Sequence, residues 1–234
     1  MSQFDDQRAM LRHVAQALGE ELREQVAFVG GCTTGLLVTD DFTREQVRST
    51  DDVDVVVHVI SYAELHRLKE TMKARGFREP SSMDIDMPIC AVKLDDLRID
   101  LMPDDPKVLG FSNQWYRQAL ETALPISLGE DLTIRVVGPA LFIATKLEAY
   151  KGRGNGDPLE SRDIEDILNL VDGRAELLAD VQASDSDLQD YIAAEFARLL
   201  DDGNFEYAVQ SQARDPGRET LIFERLEELA RVNR

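Results

Sequence analysis

Cysteine is nearly absent from this 234-residue chain, with Cys32 and Cys90 the only two. Two thiols are too few for a disulfide scaffold or a thiolate zinc site. Lysine is almost as scarce: six residues (69, 73, 93, 107, 146 and 151) stand against twenty arginines, and none follows Lys151. Basic residues number 26 and acidic residues 45, which leaves a formal charge of −19. Such a chain is repelled by nucleic acid at long range, so binding RNA or DNA requires a segregated basic groove. No apolar run approaches the roughly 20 residues that span a bilayer, and the start, MSQFDDQR, lacks the basic and apolar segments of a secretory signal. The expectation is a cytoplasmic protein with no membrane partner. Gly-x4-Gly-Lys-Ser/Thr, Gly-x-Gly-x-x-Gly and Gly-x-Ser-x-Gly are all missing, which argues against a Walker-type NTPase, a Rossmann dehydrogenase and a serine hydrolase.

At 43% hydrophobic and 30% charged, the composition is that of a globular protein able to bury a core. Leu11, Val14, Leu18 and Leu22 recur at helical spacing and predict a helix over residues 5–24. The run Val26 to Val29 fits a buried strand that ends at Gly30-Gly31, and residues 32–38 read as the next helix. Residues 40–51 read as a loop. Asp52 to Val59 is β-branched and the clearest strand. Ser61 with Glu64 forms the signature of a capping box, opening a helix that runs to Arg75 and stops at Gly76. After a loop at 79–88, residues 89–94 and 97–102 read as a hairpin around Asp95-Asp96. Residues 104–131 carry no clear period, and Leu132 to Val137 suits a strand. From Pro139 the pattern is helical: 140–151, 162–172, then two or three more helices. The fold class expected is α+β, a mixed sheet flanked by helices (1–138) followed by a helical half (139–234).

Side chains alternate along a strand, so Asp52, Asp54, Val56 and His58 share one face. The first two carboxylates then stand about 7 Å apart, and like charges so placed call for a cation. A hard divalent ion with oxygen ligands, Mg²⁺ or Mn²⁺, is the usual one. A bare Asp-x-Asp is more often a solvated acidic strand start. Asp100 changes the balance: with Arg98 and Met102 it occupies one face of its strand, and pairing beside the first strand makes it a third carboxylate. Gly30-Gly31, between a strand and a helix, lets backbone N–H groups approach a phosphate closely, although it also suits an ordinary tight turn. His58 lies deeper on the aspartate face and reads as a packed or supporting residue. His13 and His66 fall on helices without partners and read as surface residues. Trp115 with Tyr116 suits either a pocket lining or core packing.

The stretch Val29-Gly-Gly-Cys-Thr-Thr-Gly-Leu-Leu37, with Arg48-Ser-Thr-Asp-Asp-Val-Asp54 after it, resembles the nucleotidyltransferase superfamily of the DNA polymerase β type. More narrowly it is similar to the AbiEii/AbiGii (MenT-like) toxin branch. Lys146-Leu-Glu-Ala149, Arg153 and Arg162-Asp163-Ile-Glu-Asp166 match the branch's downstream pattern, while the last 60 residues add nothing to the likeness. The resemblance implies metal-dependent transfer of an NMP from an NTP to a tRNA 3′ end or a protein, by the toxin of a toxin–antitoxin or phage-defence system with a possible antitoxin partner. In that frame Asp52, Asp54 and Asp100 bind metal, and Gly30, Gly31, Arg48 and Thr50 lie at the nucleotide. Lys146 then contacts the phosphates, and Asp163 orients Lys146 or accepts a proton, the helical half completing the site. The segment Gly152–Gly156 is looser than the pattern and suits a lid. Arg44, Arg48, Lys146, Lys151, Arg153 and Arg162 all fall inside these motif segments, as a triphosphate site on so acidic a chain requires. The acidity also keeps open a small cationic acceptor such as an aminoglycoside. A non-catalytic NTP- or partner-binding module on the same fold is a further alternative. Residues 175–234 carry 14 acidic residues against 6 arginines, a solvated face or a partner surface.

Overall fold

The structure is a computed structural model that describes residues 2–81, 84, 87–110, 112–153, 156–213 and 215–233. It divides into two units. The first comprises Met1–Thr33 and Arg48–Gly138, the second Thr34–Val47 and Pro139–Arg234. The break after Gly138 falls where the sequence pattern turns helical. Thr34–Val47, however, clusters with the helical unit, not the sheet. The reason is local bonding: the N–H groups of Thr39 and Asp40 both donate to Gly173 O, and Thr43 Oγ1 donates to Asp172.

In the first unit, α1 (Gln3–Gln25) starts at a capping box on Ser2 and Asp5 and is broken at Gly19, whose φ is 67°. The left-handed backbone there favours glycine, and a Cβ on Gly19 would stand 2.1 Å from the end of the Arg75 side chain, which would have to move aside. β1 (Val26–Val29) follows, fully buried, and then a 3₁₀ turn at Gly31–Thr33. β2 (Asp52–Val57) leads to α4 (Tyr62–Lys73), where Ser61 Oγ accepts from Glu64 N. The return arm of that expected capping box reaches one residue further, with Glu64 accepting from Ile60 N. β3 (Phe77–Arg78), unforeseen in the sequence, pairs with β4 (Ala91–Leu94), which forms the expected hairpin with β5 (Leu97–Pro103). Asp95 takes the left-handed turn position at φ 53°. The ambiguous stretch resolves into α5 (Pro106–Leu109), α6 (Tyr116–Glu121) and β6 (Leu124–Gly129), with β7 (Leu132–Val136) after it.

The seven strands make one mixed sheet in the order β3-β4-β5-β2-β1-β7-β6, with β2 parallel to β5 and β1 parallel to β7. α1 packs on β1 and β7, and α6 on β2 and β1. Phe28, Val55, Ile99, Leu101 and Ile134 fill this core.

In the second unit α2 (Thr34–Leu37) and α3 (Asp41–Arg44) lie against α8 (Arg162–Gly173). The loop expected at 40–51 thus contains a helix, because Asp40 caps it by accepting from Thr43 N. α7 (Pro139–Gly152) is buried along almost its whole length and packs with α8, α9 (Leu177–Gln182) and α10 (Ser186–Leu200). α11 (Gly203–Gln212) and α12 (Pro216–Leu229) follow, so among the described residues four helices come after α8 rather than two or three. Arg218 ties the ends together by pairing with Asp40 and Asp172.

Candidate active site

Parallel pairing of β2 and β5 sets the geometry. Asp52 is the register partner of Arg98, and Asp54 of Asp100. Partners in adjacent parallel strands project to the same face about 4.8 Å apart, so the three aspartates and Arg98 share one face at one end of the sheet. The other face of the same strands, Val53, Val55, Ile99 and Leu101, is buried to 1% exposure or less. A one-residue slip would drive all four charged groups into that core, which is why the register holds.

β1 runs antiparallel to β2 and brings Val29 opposite Asp54, so the turn after β1 opens at the acidic end. Gly30 there has φ 78°, and its Cβ position lies 2.0 Å from Asp54 Oδ2. The turn is pinned by Thr33, whose N–H and hydroxyl both donate to Gly30 O, and by Gln7 Nε2, which donates to Gly31 O. The Thr33 hydroxyl is therefore spent on the turn. Thr50 Oγ1 donates to Asp52 O, and Arg48 is partly buried.

Asp52 and Asp54 are partly exposed, but Asp100 is buried, at 3%. Both Asp100 oxygens accept from Arg98, Oδ1 from Nε at 2.8 Å and Oδ2 from the terminal amino group. Asp100 bonding chiefly holds the guanidinium above its ordinary pKa against partial burial, with attraction from Asp100, Asp52 and Asp54 adding to it. Arg98 was legible as a neighbour of Asp100 on one strand face, but its grip on that carboxylate was missed. Three carboxylates and one guanidinium leave a net negative charge, and oxygen donors on adjacent strands are of the type a hard divalent cation takes, although the three do not bring ligand oxygens within 4.8 Å of one another. Asp52, Asp54 and Asp100 are the residues that would hold it.

In the helical unit Lys146 is buried, its ammonium 2.7 Å from Asp166 Oδ2 and 3.1 Å from Asp163 Oδ1. Burial pulls its pKa down, but Asp166 and Asp163 outweigh that and hold it above the ordinary value. Arg153 Nε lies 3.0 Å from Asp163 Oδ2, at the edge of a cavity of about 320 Å³ lined also by Tyr150, Ser161 and Arg162. The three-residue spacing of Asp163 and Asp166 puts both on one face of α8, a signal that sets Asp166 beside Asp163 without naming its partner. Two more of the motif-segment cations are also bonded within that unit. Arg44 bonds Val38 O and Asp41, and Lys151 pairs with Glu195 at 2.8 Å. The lid expected at Gly152–Gly156 includes Gly154 and Asn155, outside the described residues.

His58 is exposed, with Nδ1 2.8 Å from the buried carboxylate of Asp104, so it is not packed as expected. His13 and His66 do lie at the surface, but not without partners: His13 Nε2 is 3.0 Å from Asp95 and His66 Nε2 4.0 Å from Glu70. Among the described residues, one group already holds its ligand atoms within 4.8 Å of one another: His66, Glu70 and Glu79, all exposed. Lys73 lies 2.6 Å from Glu70 and 3.2 Å from Glu79, so that acidity is already answered.

No protein-family model matches the chain, and no curated protein matches it. Among the described residues no helix is long and apolar enough to cross a membrane.

Proposed function

We propose that the protein is a metal-dependent nucleotidyltransferase on a nucleotidyltransferase-like sheet, moving an NMP from an NTP to an acceptor with release of pyrophosphate. The observation that carries the reading is the pairing of Asp54 with Asp100 on parallel strands, with Asp52 on the same face and Gly30 against the Asp54 carboxylate. A divalent cation bound there would neutralise triphosphate charge and lower the pKa of an attacking hydroxyl. The chain's own part is positioning. Asp52 and Asp54 offer oxygens at the strand end, Asp100 is buried beside Asp54, and the Gly30-Gly31 turn would offer backbone N–H groups to a phosphate. Arg48 and Thr50 lead into the same strand. In the helical unit Lys146 is held at one position by Asp163 and Asp166.

The resemblance favours a tRNA 3′ end or a polypeptide as acceptor, and a toxin with a cognate antitoxin. The charge of −19 favours a second reading, a small cationic acceptor. Incubation with each labelled NTP, Mg²⁺ and, in separate arms, total tRNA, a protein lysate and an aminoglycoside distinguishes them. Transfer to one acceptor that is lost in Asp54→Ala, with an unchanged circular dichroism spectrum, supports the reading. Transfer retained by Asp54→Ala overturns the mechanism.

A further inference from the structure

Asp100 differs from the other two aspartates in a way that bears on how the site takes up a cation. Its side chain is 5% exposed, and both its oxygens are engaged by one guanidinium. Arg98 itself is 36% exposed. It reaches Asp100 along its own strand from the position paired with Asp52. The bond is two-pronged and charge-assisted, the strongest form of ion pair between side chains. A dication approaching Asp100 therefore meets a carboxylate already neutralised, and a fixed positive charge beside it.

From this arrangement we infer that Arg98 is a built-in competitor for the divalent cation: it holds Asp100 until a cation displaces it, and so sets the metal affinity of the acidic end. The inference rests on the metal-dependent reading above and adds a regulator to it. Arg98 acts through Asp100 and is a positioning residue. Because the guanidinium retains a solvent-facing side, it can withdraw without unpacking the core, whereas Asp100 has nowhere to turn. The strand face below both residues is filled by Ile99 and Leu101. Resting metal occupancy is thus low, and the site engages a cation chiefly when a nucleotide brings it.

Mn²⁺ titration followed by electron paramagnetic resonance, on full-length protein without nucleotide, tests this. Arg98→Gln is expected to tighten Mn²⁺ binding roughly 10-fold, the order expected when one positive charge is removed from beside a dication in a largely water-screened site. Arg98→Lys, which keeps the charge but not the two-pronged hold, is expected to fall between. Arg98→Gln with Asp100→Asn is expected to lose the gain, a result that a general change in stability would not produce. Mn²⁺ bound no more tightly by Arg98→Gln, or a gain that persists without Asp100, overturns the inference while leaving the function intact. Absence of Mn²⁺ binding in wild type and every variant, with or without NTP, overturns the metal-dependent reading itself.

Discussion

Gly30 and Asp54 are in contact across the β1–β2 pair: a Cβ on Gly30 would lie 2.0 Å from Asp54 Oδ2 and 2.9 Å from its carboxyl carbon. No side chain fits there unless the aspartate turns away. Gly30→Ala is therefore expected to do two things. The left-handed backbone (φ 78°) costs about 1–2 kcal/mol of stability, and displacement of Asp54 weakens divalent-cation binding. Urea unfolding and Mn²⁺ titration read the two effects. Gly203→Ala, in open space without a positive φ, is the control expected to change neither.

Lys146 lies between the buried carboxylates of Asp163 and Asp166, and its removal takes from both the ammonium that offsets their charge, while Asp163 keeps Arg153. Lys146→Met is expected to cost about 3–5 kcal/mol in urea unfolding, the usual penalty for breaking one side of a buried ion group. Adding Asp166→Asn to that variant is expected to recover part of the loss. Equal stability of the single and double variants would show that the cluster is not coupled.

Both cysteines are buried. Burial, reinforced by the charge of Asp100, pushes the Cys90 thiol up to about 11. Neither thiol is expected to react with an aromatic disulfide reagent at pH 8 in the folded protein, and both are expected to react in urea. Rapid labelling of the native chain would contradict this placement.

Asp84 is held well below the usual carboxylate range, first by Lys93 and then by the backbone and hydroxyl of Ser81 and by Arg78. The folded pKa lies below an unfolded value of about 3.9. Its contribution to stability is therefore complete above that pH and lost as pH falls through the folded value. Melting temperature measured from pH 7 downward is expected to decline in acid. Asp84→Asn is expected to melt lower at pH 7 and to show a shallower acid decline.

Local pattern was enough for most elements. The period of two in Asp52–Val57, the Ser61 cap and the helical spacing in α1 and α8 each describe neighbours within one turn or one pleat, and the structure contains them. Short elements escaped. The two residues of β3 and the four of α3 carry no period of their own, and they form because a partner strand or a capping aspartate closes them. The same division runs through the candidate site. Asp52, Asp54, Asp100 and the glycine turn were visible as types on faces. The grip of Arg98 on Asp100 and the pinning of Lys146 by Asp166 were not singled out, because alternation says which face a side chain shares and not which neighbour it grasps.

By itself the amino-acid order determined a mixed sheet, a helical second half and a face carrying acidic groups, since those follow from side-chain alternation and apolar spacing along the chain. The fold alone decided that β5 lies parallel beside β2 in the register that sets Asp100 against Asp54. That choice depends on burying Val53, Val55, Ile99 and Leu101 together, a cost and gain shared by residues more than forty positions apart.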